Sequence, residues 1–84
     1  MKDNNKKFSS IEKLLPLLQQ LQKTNAKKCH IFWLYTMACT QGHSIFVIVN
    51  KDGRNVGDFS FYWFNEPETL ERKYNELCDC LKQV

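Results

Sequence analysis

Four cysteines, two histidines and a scatter of carboxylates are the residues of this 84-residue chain with chemistry to offer. Cys29 and Cys39 stand ten apart, and Cys78 and Cys80 stand two apart inside a helical pattern. Neither pair has the spacing that wraps a loop around zinc. Residues two apart on a helix diverge by about 200°, so Cys78 and Cys80 do not share an ion easily. His30 and His43 lie near Cys29 and Cys39, but no spacing ties them into a ligand set. A nucleophilic thiol needs a base within reach. Cys29 and His30 are adjacent on a strand and point to opposite faces, whereas Cys39 and His43 flank a tight turn and could meet. The expected state is four free structural thiols, with no metal and no cofactor.

The carboxylates and glycines have ordinary explanations. Asp52 belongs to a turn, Glu66 and Glu68 to a helix start, and Gly42, Gly53 and Gly57 to turns or strand ends. No Gly-rich phosphate loop is present. A chain this small must carve any catalytic cleft out of its only core. The reading is a protein that is not an enzyme.

Charge divides the chain. Residues 1–28 hold seven Lys against Asp3 and Glu12, residues 29–64 balance, and residues 65–84 hold five acids against three bases. A net charge of +3 is too small to mark a strong nucleic-acid binder. The bases that could hold phosphates are Lys27, Lys28, Lys51 and Arg54. No apolar run reaches membrane-spanning length. The polar start, Met1 to Lys7, has no hydrophobic segment behind it. The expected location is the cytoplasm, which agrees with reduced thiols.

These residues are positioned by five elements. Residues 1–8 read as a flexible basic tail, and 9–84 as one domain. Ser9-Ser10-Ile11-Glu12 has the form of a capping box. Ile11, Leu14, Leu15, Leu18 and Leu21 then make one helical stripe that crosses Pro16, which predicts a single helix from about Ser10 to Lys23, kinked at the proline. Cys29–Thr40, His43–Asn50 and Val56–Phe64 are rich in β-branched and aromatic residues and read as strands. Gln41-Gly42 suits a tight turn between the first two. Asn65 is expected to cap a second helix with Pro67 in its first turn, Leu70, Tyr74, Leu77 and Leu81 on its buried stripe, and Glu68 paired with Arg72. The fold class is α+β, a single small domain with a helix, a three-stranded antiparallel sheet and a helix.

Asn50-Lys51-Asp52-Gly53 suggests a type I turn followed by a left-handed glycine and a bulge. That loop would pair Asn50 with Arg54, Val47 with Gly57 and Ile45 with Phe59. One face then carries Ile45, Val47, Val49, Phe59, Phe61 and Trp63. The other carries Ser44, Phe46, Ile48, Asp58, Ser60, Tyr62 and Phe64. Two helices cover the first face. The second is joined by one alternate set from strand one, either Trp33, Tyr35 and Met37 or Phe32, Leu34 and Ala38, and the connecting turn does not decide which. The candidate partner-binding residues are Phe46, Ile48, Tyr62, Trp33 and Tyr35.

The element order, with Gly42-His43 ahead of the second strand, is similar to that of double-stranded RNA-binding domains, and also to the Alu-binding subunits of the signal recognition particle. The likeness implies a sheet layered with helices and, at most, RNA contact. The first family opens its second helix with a lysine cluster, where this chain has Asn65-Glu66-Pro67-Glu68. Topology alone does not carry function. The leading expectation is a small binding protein, an adaptor, regulator or inhibitor, that docks on a protein or on a second copy of itself. The alternative is an RNA or single-stranded nucleic-acid module using the sheet aromatics with Lys27, Lys28, Lys51 and Arg54.

Overall fold

A computed structural model describes residues 8–39 and 42–84, and the side chains of 38 and 39 lie outside that description together with 1–7, 40 and 41. All of the expected tail at 1–8 except Phe8, the Gln41 half of the first turn and the Cys39 thiol therefore fall outside the described residues. A 3-10 turn, Ile11–Lys13, leads into helix α1, Leu14–Thr24. Strands β1 (His30–Cys39), β2 (Gly42–Lys51) and β3 (Arg54–Tyr62) form an antiparallel meander in the order β1-β2-β3, and helix α2 spans Pro67–Gln83.

Pro16 starts a helix rather than kinking one. It sits in the first turn of α1, where its missing N–H is one that no intrahelical carbonyl would have received. The residue before the 3-10 turn is Ser10, which makes no side-chain cap bond, so the capping-box frame counted from Ser9 is one residue out of step. Asn25 closes α1: its N–H and its Nδ2 both donate to Leu21 O, at 3.0 and 2.8 Å. Asn65 does not cap α2, whose N-cap is Glu66. The Asn65 Oδ1 instead accepts from the Tyr62 N–H at 2.8 Å, which folds the chain back at the end of β3. Arg72 pairs with Glu76 at 3.6 Å rather than with Glu68.

The β2–β3 register differs from the sequence expectation by two residues. Lys51 faces Arg54, so the loop is the two residues Asp52-Gly53, with φ of 56° and 79°. Two consecutive positive φ values make the type I′ turn that suits strand twist. Asn50 then faces Asn55, Val47 faces Phe59 and Ile45 faces Phe61. A two-residue turn alone would scatter polar groups over both faces. The bulge that inserts Val56 between Asn55 and Gly57 restores the alternation, so the same residues still share a face.

The core lies on that face. Ile45, Val47, Val49 and Phe61 meet Leu14 and Leu18 of α1 and Leu70, Leu77 and Leu81 of α2, all buried. Phe59, Leu21 and Tyr74 pack around them half-buried. Phe8, placed in the tail by the sequence, is buried at 5% exposure with its ring 5.6 Å from Tyr74. At Gly57 α2 lies close over β3: a Cβ there would stand 2.9 Å from Cys80 Sγ. Both helices cover one side of the sheet, and the molecule is only 17 Å thick along its short axis. Among the described residues no helix is long and apolar enough to cross a membrane.

Candidate functional site: the uncovered sheet face

The pairing of β1 settles which of its residues join the open face. Ile31, Trp33 and Tyr35 face Val49, Val47 and Ile45, and so lie on the helix side. Trp33 and Tyr35 are packed against the core, which takes Tyr35 off the open face and leaves Trp33 only at its border. Phe32 faces Ile48 and Leu34 faces Phe46, so these two take their place. The signal was present in the sequence. His30 and Thr36 share parity with Phe32 and Leu34, whereas Cys29, Ile31, Trp33, Tyr35 and Met37 form an unbroken apolar set.

The open face is a continuous apolar surface. Phe32 is 54% exposed, Leu34 60% and Ile48 40%. Together with Phe46 and Trp33 they line a shallow depression of about 230 Å3. Phe46 meets Tyr62 edge-on at 6.0 Å, and Tyr62 stacks on Phe64 at 5.1 Å, nearly parallel. Phe64 is 61% exposed and extends the patch beyond β3. It belonged to the mixed face in the sequence, but nothing there marked it as a contact residue. Lys73 holds the rim, with its ammonium 5.2 Å from the Tyr62 ring centre and donating to Ser60 O at 2.7 Å. By register Asp58 and Ser60 lie on the same side and make its β3 margin polar. Ser44 also has this parity, but it is fully buried, and its Oγ has no hydrogen-bond partner among the described residues.

The basic residues are elsewhere. Lys28 Nζ donates to Leu81 O at 2.7 Å and Lys51 Nζ to Val84 O at 2.9 Å. Both ammonium groups therefore satisfy carbonyls at the end of α2, where the helix dipole is negative. Lys51 and Arg54 face each other, on the helix side by parity, while Lys27 is exposed in the α1–β1 connection. The expected phosphate-holding set is not brought onto the aromatic face.

Of the described thiols, Cys29 and Cys80 lie near each other. Cys29 is buried while His30 is exposed and stacked on Phe32 at 6.1 Å. Cys80 Sγ contacts Val56 O at 3.6 Å, whereas Cys78 bonds to Tyr74. Burial raises both thiols above their ordinary range, with the Tyr74 hydrogen bond pulling Cys78 back and nearby Cys29 adding to the rise at Cys80. Burial, reinforced by Cys78, pushes Tyr74 up to about 12. His43 stacks on Tyr35 at 4.8 Å, and the Tyr35 hydroxyl reaches Glu12 at 3.5 Å. No cluster of His, Cys, Asp and Glu able to hold a metal occurs among the described residues. Comparison with protein families, curated proteins and solved structures finds no match.

Proposed function

We propose that this chain is a non-enzymatic binding protein, of the adaptor, regulator or inhibitor kind, that docks on a protein partner through the open face of its sheet. The observation that carries the reading is that face itself. Phe32, Leu34, Ile48 and Phe64 stand exposed around the half-buried Phe46 and Tyr62, while every helix packs on the other side. A contiguous exposed patch of this kind is uncommon on a monomer without a use. An aromatic centre with a polar margin at Asp58 and Ser60 is the anatomy of a reversible protein interface. Nucleic-acid binding is disfavoured because Lys28 and Lys51 are engaged at the end of α2, away from the aromatics.

The test is Phe46→Glu combined with Tyr62→Ser, assayed by thermal melting and by retention of proteins from the native host. The expected result is a folded protein that loses a partner held by the wild type, with that binding insensitive to salt. Retained nucleic acid whose affinity falls steeply with salt overturns the reading, because that slope reports released counterions. A variant that unfolds also overturns it, because the face would then be core.

A further inference from the structure

The sheet has two edges, and the chain treats them differently. In an antiparallel ladder the N–H and C=O of one residue point to the same side, and successive residues alternate. On β3 the Ser60 carbonyl accepts from Lys73, and the Tyr62 N–H donates to Asn65. The even-numbered residues of this stretch therefore point outward, and Phe59 and Phe61 bond to Val47 and Ile45. That leaves the even residues of β2 for β1, so β1 turns its odd residues outward. Gln22 agrees, because its Nε2 donates to the Ile31 carbonyl at 2.7 Å.

The outer edge of β3 is thus occupied by Lys73 and Asn65, and its strand carries Arg54, Asp58 and a bulge. Such features discourage a strand from pairing further. On β1 the backbone groups of Trp33 and Tyr35 point outward with no side-chain partner among the described residues. The strand His30–Cys39 contains no lysine, arginine, carboxylate, proline or glycine, and its pairing is regular from His30 to Met37.

We propose that the β1 edge is a homodimer interface, in which β1 pairs antiparallel with β1 of a second copy about a two-fold axis at Leu34. The register argues for a second copy as the occupant. Centred there, Trp33 exchanges both backbone bonds with Tyr35 of the second copy, and Tyr35 with its Trp33, which uses the unpartnered groups on both chains. The pairing ends where Gln22 already occupies the Ile31 carbonyl. Trp33 and Tyr35 rings come opposite each other on the helix side, a favourable cross-strand pair. Leu34 meets its own copy on the open side, and Phe32 meets Thr36. No like charges are opposed. Parity keeps both helix layers on one side and merges the two open faces into one surface. The dimer uses backbone groups at the edge and leaves Phe46 and Tyr62 free, so it goes beyond the docking reading and fails independently of it.

Sedimentation equilibrium on the full chain in reducing buffer, from about 10 μM to about 1 mM, reads the association over the range of a weak dimer. Amide hydrogen exchange at both ends of that range locates it. The expected result is a dimer in which the Trp33 and Tyr35 amides slow by about tenfold or more with concentration, while the inward Phe32 and Leu34 amides are protected throughout. Leu34→Lys, which opposes two ammonium groups at the axis, should give a monomer, and Phe46→Glu should leave the dimer intact. A monomer at every concentration overturns the proposal. So does a dimer whose Trp33 and Tyr35 amides still exchange fast, which would be face-to-face stacking. Protection that does not depend on concentration overturns it as well.

Discussion

Ile45→Ala and Ile48→Ala remove the same atoms from one strand on opposite sides of the sheet. Ile45 is 0% exposed, in the layer shared with both helices, and Ile48 is 40% exposed on the open side. Emptying a fully buried site loses transfer free energy and leaves a cavity, so Ile45→Ala should cost about 4 kcal/mol, within the usual 2–5. At Ile48 only about three-fifths of the side chain is withdrawn from water, and solvent fills the space, so at about 0.8 kcal/mol per buried methylene the loss is roughly 1.5 kcal/mol. For a domain of this size about 4–8 °C of melting temperature accompanies each kcal/mol, giving a fall of roughly 20 °C for the first variant and roughly 10 °C or less for the second. Urea unfolding at low protein concentration, followed by circular dichroism, measures both, and unchanged slopes keep the comparison valid. Losses equal to within about 0.5 kcal/mol, the scale of an ordinary surface change, would refute the one-sided architecture.

Three further outcomes follow from single contacts. Tyr74, raised from 10.0 to about 12, favours the folded state while its phenol is neutral; that contribution is complete below pH 10.0 and is lost as pH rises towards 12. Thermal melts across that window should show a fall in stability that Tyr74→Phe blunts. Gly57→Ala should destabilise by roughly 1–3 kcal/mol through crowding. Adding Cys80→Ala should restore part of the loss, because Cys80 Sγ is the nearest obstructing atom at 2.9 Å. Ser44→Ala, which removes a buried Oγ that has no partner among the described residues, should leave stability unchanged or raise it by about 1 kcal/mol in chemical denaturation.

Alternation made much of this fold legible before any coordinates. Ile45, Val47, Val49 and Phe61 announce one apolar face, and the stripe of Leu70, Tyr74, Leu77 and Leu81 announces the helix that covers it. Register was less accessible. Parity excludes a slip of one residue but is silent about a slip of two, and the Val56 bulge let a shorter turn produce the same sorting. Pro16 was compatible with a kink or a start, because the leucine stripe continues through either. The site was half legible. Phe46, Ile48 and Tyr62 followed from parity, and the choice of Phe32 and Leu34 over Trp33 and Tyr35 was marked only by the polar His30 and Thr36 that share their parity. The diversion of Lys28 and Lys51 to the end of α2 is a long-range event with no local signature.

The meander order also bears on how quickly the molecule is made. Each strand pairs only with its neighbour in sequence, and the two-residue loop Asp52-Gly53 closes the second hairpin. Little chain entropy is spent before the ladder begins to return hydrogen bonds, and hairpins of this kind form in about 1–10 μs. The helices arrive from opposite ends of the chain, yet Leu14 and Leu81 share one layer. Their docking is the non-local event. Contact order makes that docking the expected slow step, with both sides of the sheet wet until it is complete.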